Sequence, residues 1–364
     1  MKKTWMALAV ASLAATPALA VETDVGLGGV FAYSVSQHDG DSTGKDTDAE
    51  NNGSFLRVDA SASDTDRGIK AFVVYERGFD RFNSASANNE QDDFVREFYA
   101  GVSGRYGTLS YGRMSTFYKQ AGQKIDPFYD TSIAGFNGQF SNEGAGYGLS
   151  NLTNAFTSNT VAYQAPTLVP GLTLRGSVYL NDNGEAQAVG GANDDDDFGV
   201  GAAYENADLG FAVGVEYLDI NSVVTPTAGA TANTIFGVNK PVTSEAVRVY
   251  GGYKIEKLSL GASFEQIDVE DEADPRQYMM LSATYALLPD IRVAATYGLL
   301  KDVVPNAAAN PNGIDGDGFA VGAFYDIIEN LTGYVAARSV SLDAGDDIST
   351  VAAGLSYAFG TDLN

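Results

Sequence analysis

Apolar and polar residues alternate along most of this chain, and two unequal kinds of gap interrupt the alternation. In the second half, Leu209 to Leu218, Ala246 to Ile255, Leu258 to Ile267, Tyr278 to Ala286, Ile291 to Leu299, Phe319 to Asp326, Leu331 to Ser339 and Val351 to Phe359 read as period-two strands. Some joins are tight, as at Glu256 and Lys257, at Leu288 to Asp290, and at Glu329 and Asn330. Others are wide and rich in Asp, Asn, Gly and Pro: Asn221 to Ser244, Asp268 to Pro275, Val303 to Asp317 and Asp343 to Asp347. Short and long joins take turns, which predicts a structure with one trimmed rim and one ornamented rim.

The first half offers Val25 to Val35, Phe55 to Ser63, Ile69 to Arg77, Phe94 to Ser103, Thr108 to Gly112, Asn159 to Ala165, Leu172 to Asn181 and Phe198 to Glu205. Together the two halves predict an all-β fold, a transmembrane antiparallel β-barrel of about sixteen strands with both termini on the short-turn side. The faces support a barrel over a sandwich. In the last strand Val351, Ala353, Leu355, Tyr357 and Phe359 share a greasy face, while Ala352, Gly354, Ser356 and Ala358 share a small, polar one. In Leu172 to Asn181 the apolar set is Leu172, Leu174, Val178 and Leu180, which turns Arg175 and Ser177 toward the interior.

Addressing agrees. Met1 to Ala20 carries Lys2 and Lys3, an apolar run and a small-residue Ala18-Leu19-Ala20 end, and reads as a secretory signal peptide cleaved after Ala20. Residues 21–364 are expected to form one domain. The chain has 22 Lys+Arg against 47 Asp+Glu. That excess of acid argues against nucleic acid as a partner. With no cysteine in an exported chain, disulfide scaffolds and thiol catalysis are excluded.

The rhythm breaks once. Met114 to Ser158 is far longer than an ordinary join and contains Phe117, Tyr118, Ile125, Phe128, Tyr129, Ile133, Phe136, Phe140 and Tyr147. Such a segment has much to bury, and it is expected to fold into the lumen, narrow it, and set Asp126, Asp130 and Glu143 opposite basic wall residues.

Tyr106 to Arg113 (YGTLSYGR), Asn159 to Gln164 (NTVAYQ) with Pro166, Pro170 to Glu185 (PGLTLRGSVYLNDNGE) and the terminal Leu355 to Phe359 (LSYAF) resemble, in order, stretches of the Gram-negative general diffusion porins. Five residues follow Phe359, where the family usually ends at the aromatic, and Asp126-Pro127-Phe128 is the nearest counterpart of the family's acidic loop motif. The resemblance implies an outer-membrane location, a homotrimer, contact with lipopolysaccharide and outer-membrane lipids, and insertion by the barrel-assembly machinery. It also implies a constriction where loop acids face an arginine cluster, here Arg57, Arg113 and Arg175. Parity places Arg57 with Asp59 and Ser61, but Arg113 with Leu109 and Tyr111. A kink or bulge at Gly112 is therefore required to bring Arg113 inside.

The functional expectation is a passive, weakly cation-preferring pore for ions and small hydrophilic solutes, without a cofactor and without enzymatic activity. The alternative is a substrate-specific channel with an aromatic slide of Tyr118, Phe128, Tyr129 and Phe136; a closed scaffold barrel is a third. Asp194, Asp195, Asp196 and Asp197 read as a solvated external charge run, with structural calcium as the weaker reading. His38, the only histidine, reads as a surface residue of an acidic loop, and a Ser-His-Asp site as the remote alternative.

Overall fold

The computed structural model describes residues 21–40, 44–79, 93–136, 146–180, 197–222, 242–269, 272–303, 313–344 and 347–360. Its strands are β1 (Val21–Gly40), β2 (Gly44–Asn51), β3 (Phe55–Asp64), β4 (Ile69–Phe79), β5 (Asp93–Gly104), β6 (Gly107–Ser115), β7 (Phe156–Gln164), β8 (Leu172–Tyr179) and β9 (Asp197–Asn206). The second half adds β10 (Phe211–Ser222), β11 (Val242–Ile255), β12 (Leu258–Val269), β13 (Arg276–Leu288), β14 (Ile291–Val303), β15 (Ile314–Ile328), β16 (Leu331–Leu342) and β17 (Ile348–Gly360).

Every pairing is antiparallel, and β1 closes the sheet by pairing with β17 from Gly28↔Gly360 to Gly40↔Ile348. The inner half of β1 pairs with β3 and its outer half with β2, so β2 and β3 form one interrupted staff, and the ring has sixteen. All sixteen expected strands are present. The tight joins lie at one rim and the wide ones at the other, because consecutive antiparallel strands alternate direction. Closure leaves no edge on which backbone groups go unpaired.

Alternation fixes the faces. Val213, Val215, Val249, Tyr253, Leu281, Tyr297, Val321 and Leu355 are exposed on the outward face, as in a wall that meets lipid. Their neighbours along each strand point inward. There the inner faces of β10 to β16 are buried beneath the segment between β6 and β7. That segment carries a short helix, α1 (Phe117–Gln123), capped by the Thr116 side chain, and a 3₁₀ turn (Asn151–Asn154) capped by Ser150. Tyr118, Ile125, Phe128, Ile133, Tyr147, Leu149 and Leu152 pack with inward residues such as Met280, Phe324 and Tyr334. The hydrophobic core therefore sits inside the barrel and off-centre, on the β10–β16 side.

The first external join departs from expectation. His38 lies in β1 rather than in a loop, with its side chain buried. Its Nε2 meets Ser36 Oγ at 2.8 Å and Glu50 Oε1 at 3.1 Å, and Nδ1 meets Thr350 Oγ1 at 3.1 Å. The arrangement has the members of a hydrolase triad, but both hydroxyls are buried. Its work is to tie β1, β2 and β17 together.

Candidate functional site

Two rows of charge line the inner face. On β3 to β5, Arg57 pairs in register with Glu76, and Glu76 with Glu97. Two carboxylates directly opposite each other repel, and flanking cations offset the repulsion. Arg57 lies 3.8 Å from Glu76 and 3.9 Å from Glu97, and Arg96 Nε is 2.7 Å from Glu76. Arg96 reaches this face through a β-bulge. Glu97 stands opposite Glu76 and Val95 opposite Arg77, which leaves Arg96 as the extra residue, turned inward beside Glu97. Its guanidinium lies 4.8 Å from the Phe55 ring centre and 5.3 Å from that of Phe156.

The second row runs across β8 to β12. Arg175 is opposite Gly201, Gly201 opposite Glu216, Glu216 opposite Arg248, and Arg248 opposite Glu265. Arg175 Nε donates to Glu216 at 3.0 Å, and its terminal nitrogens donate to Glu216, to the Phe117 carbonyl at 3.2 Å and to Gln120 at 3.3 Å. A Cβ on Gly201 would run into the Glu216 carboxylate, so only glycine leaves room for the carboxylate where Arg175 grips it.

Arg248 and Glu265 are wholly buried. Arg248 donates to the Tyr118 carbonyl at 2.8 Å, to Thr153 Oγ1 at 2.7 Å and to Glu265 at 2.9 Å. Glu265 also accepts from Tyr118 Oη at 2.8 Å and from Ser150 Oγ at 2.5 Å and N at 3.1 Å. Charged groups out of water persist only when they are paired and hydrogen-bonded, and here the segment supplies partners to both terminal nitrogens of Arg248 and to both oxygens of Glu265. Farther round, Tyr147 shares a hydrogen bond with Thr296 at 2.8 Å, and Arg338 donates to the Ala134 carbonyl at 3.4 Å.

The acids expected on the segment take different places. Asp126 is buried and organises its own turn, accepting from Phe128 N at 2.9 Å and Gly135 N at 2.7 Å. Burial pushes its pKa up to about 6, against the pull of those two amides. Asp126 is therefore a scaffold residue and not a group that faces the lumen. Asp130 is exposed to the lumen. Enclosure by the barrel raises its pKa, and the nearby Arg96 and Lys119 oppose the rise. Glu143, Asp194, Asp195 and Asp196 lie outside the described residues. Asp197 opens β9 with its side chain buried, opposite Tyr179. Among the described residues no group of three or more His, Cys, Asp or Glu could hold a metal ion.

Lys119, on α1, was not anticipated. Its Nζ lies 3.3 Å from the centre of the Phe156 ring, and burial, reinforced by Arg96, lowers its pKa to about 7. Of the expected arginines, Arg57 and Arg175 lie on the inner face. Arg113 does not. Gly112 does adopt φ 144°, but the extra residue of the β6–β7 bulge falls on β7, where Ser158 and Asn159 span the place opposite Arg113. Arg113 stays paired with the exposed Phe98 and keeps the outward face of Leu109 and Tyr111. Its place inside is taken by Arg96, whose own bulge reverses the parity that the sequence suggests. Of the four slide aromatics, Tyr118 and Phe128 are buried against the wall, and Tyr129 packs on Phe136 with ring centres 4.9 Å apart.

A closed antiparallel barrel with an apolar outside and charged rows inside defines a transmembrane β-barrel of the outer-membrane type. Residues 7–345 match the family model described as Gram-negative porin. The chain belongs to that family, and its barrel lies in the outer membrane. Similar solved structures include a loop-deletion form of OmpT, an outer membrane protein of Vibrio cholerae, at 17% identity and TM-score 0.66, covering 93% of this chain and 99% of that one. The trimer form of Vibrio cholerae OmpT matches at 15% and 0.62, covering 93% and 99%. Salmonella typhi OmpF in complex with daunomycin matches at 18% and 0.63, covering 93% and 97%. At such identities the likeness speaks for the fold. No curated protein matches the sequence.

Proposed function

We propose that the chain is a passive, weakly cation-preferring pore for ions and small hydrophilic solutes, narrowed by the segment between β6 and β7. The observation that carries this reading is the meeting of two charged surfaces across the lumen. The β3–β5 wall carries Arg57, Glu76, Arg96 and Glu97, and the segment sets Asp130 opposite it, with Arg96 and the buried Lys119 acting electrostatically on Asp130. Fixed charges of both signs orient water and dipolar solutes across a pore, and an overall excess of one sign biases ion passage. With 47 acidic and 22 basic residues, the bias favours cations at the mouth. The segment occupies the β10–β16 side, so the path for solutes runs along the β3–β8 wall.

The buried positions of Tyr118 and Phe128 weigh against an aromatic slide for one sugar. Homotrimer assembly is supported by the family and by the trimer form of the Vibrio cholerae protein. Cleavage after Ala20, insertion by the barrel-assembly machinery and contact with lipopolysaccharide complete the proposal. Reconstitution into planar bilayers tests it: stepwise conductance is expected, and a barrel that inserts without conducting would overturn it.

A further inference from the structure

Next to the Arg57–Glu76–Glu97 row, toward the tight-turn rim, the inner wall carries an aromatic pair that the charge cluster does not use. Asp59 stands opposite Val74 and Val74 opposite Tyr99. In the next inward row Asp24 faces Ser61, Ser61 faces Phe72, Phe72 faces Gly101 and Gly101 faces Ser110. Phe72 and Tyr99 meet edge to face, with ring centres 6.3 Å apart and planes at 85°. Both are half-buried, on the β3–β8 wall along which the solute path runs. Glycine keeps the rings uncovered. A Cβ on Gly101 would run into the Phe72 ring, which therefore lies across β5, and Gly112 sets no side chain over Tyr99. Arg57, already beside Glu76 and Glu97, reaches the Tyr99 hydroxyl and fixes the second ring. Rings seated in this way lose little freedom when a solute lies on them.

We infer that Phe72 and Tyr99 form a resting place for a pyranose sugar on its way through the lumen. The flat C–H face of a pyranose lies on aromatic rings, while its outward hydroxyls need donors and acceptors at the edge of those rings. The wall supplies both. Ser61 and Ser110 flank Phe72, Ser103 and Thr108 follow in the next row, and Arg57 and Lys70 offer donors where Asp59 and Asp24 offer acceptors. Charges of both signs stand around the rings. A neutral polyhydroxylated solute therefore gains where an ion of either sign meets repulsion as well as attraction. The site is separate from the aromatics of the segment, of which Tyr118 and Phe128 are buried. The inference rests on the pore reading, and it names one solute class that pauses in a channel open to others.

The test is saturation-transfer difference NMR on the full folded chain in micelles of a sugar-free detergent. Methyl β-glucopyranoside is the probe, and sorbitol, which has the hydroxyls but no flat face, is its control. Wild type is expected to transfer at least about five-fold more saturation to the glucoside than to sorbitol, most strongly at the axial ring protons. Phe72→Leu, which keeps an apolar side chain, should lose that preference, and Phe72→Tyr should retain it. Equal transfer to both probes by wild type overturns the inference, and that comparison needs no variant to fold. An unchanged preference in Phe72→Leu overturns it too. If choline at equal concentration displaces the glucoside, the rings serve cations and the inference fails. A barrel that prefers the glucoside but carries no current in planar bilayers sustains the site and overturns the pore reading; one that conducts without the preference overturns the site alone.

Discussion

Arg175 and Glu216 meet across Gly201: the two charged residues sit on β8 and β10, and the strand between them contributes no side chain at the crossing. That gap lets one guanidinium hold both the wall carboxylate and the Phe117 carbonyl at the start of α1. Gly201→Val should displace Glu216 and release α1. Breaking a buried pair by such displacement typically costs about 3–5 kcal/mol. Urea unfolding followed by the heat-modifiable gel shift should show that loss, and single-channel records should become noisier as the segment loosens.

Arg248 and Glu265 make a second, independent anchor. Arg248→Met alone leaves Glu265 buried without its cation and should destabilise the barrel by about 3–5 kcal/mol. The double variant Arg248→Met, Glu265→Gln should recover much of that loss. A double-mutant cycle on unfolding free energy measures the difference.

Lys119 gives the lumen a pH response. Its folded-state pKa of about 7 lies below the ordinary 10.5, so the segment loses one buried positive charge behind its lumen face as pH rises through about 7. Cation preference should therefore strengthen between pH 6 and pH 8, and Lys119→Met should flatten the profile. For stability, the burial penalty on this ammonium is fully present below about pH 7 and disappears as pH climbs toward 10.5, because the unfolded chain binds the extra proton in that window. Asp126 acts in the opposite sense: its pKa is raised to about 6, so its burial costs nothing below 3.8 and costs fully above about 6.

The inward turn of Arg96 and the outward turn of Arg113 can be read by thiol chemistry, since the chain has no cysteine of its own. Arg96→Cys treated with a charged, water-soluble thiol reagent should show a stepwise fall in current. The same treatment of Arg113→Cys should leave the current level, because the label sits outside the wall.

Strand number, strand faces and the unequal rims were legible because period-two patterning and hairpin lengths are local properties. Arg57 and Arg175 were legible for the same reason, each sharing parity with polar neighbours. Arg96 was not, because one extra residue in β5 inverts parity without leaving a turn residue to announce it. Gly112 did announce a distortion, but a glycine marks a place and not a direction, and the extra residue fell on β7. Asp126 looked like a pore acid, and its burial depends on amides nine and two residues away. His38 looked external because Asp39 and Asp41 beside it read as an acidic loop, whereas β2 extends the hairpin well beyond the point where β3 leaves β1.

The central claim is that opposed charges across the lumen, within an acidic chain, give a weak preference for cations. The zero-current potential across a planar bilayer with a potassium chloride gradient tests it most directly. The account predicts a potential of the sign that denotes potassium in excess of chloride, well short of the ideal cation limit, and larger in Arg96→Gln than in wild type. A potential of the opposite sign, or one that Arg96→Gln leaves unmoved, would contradict it.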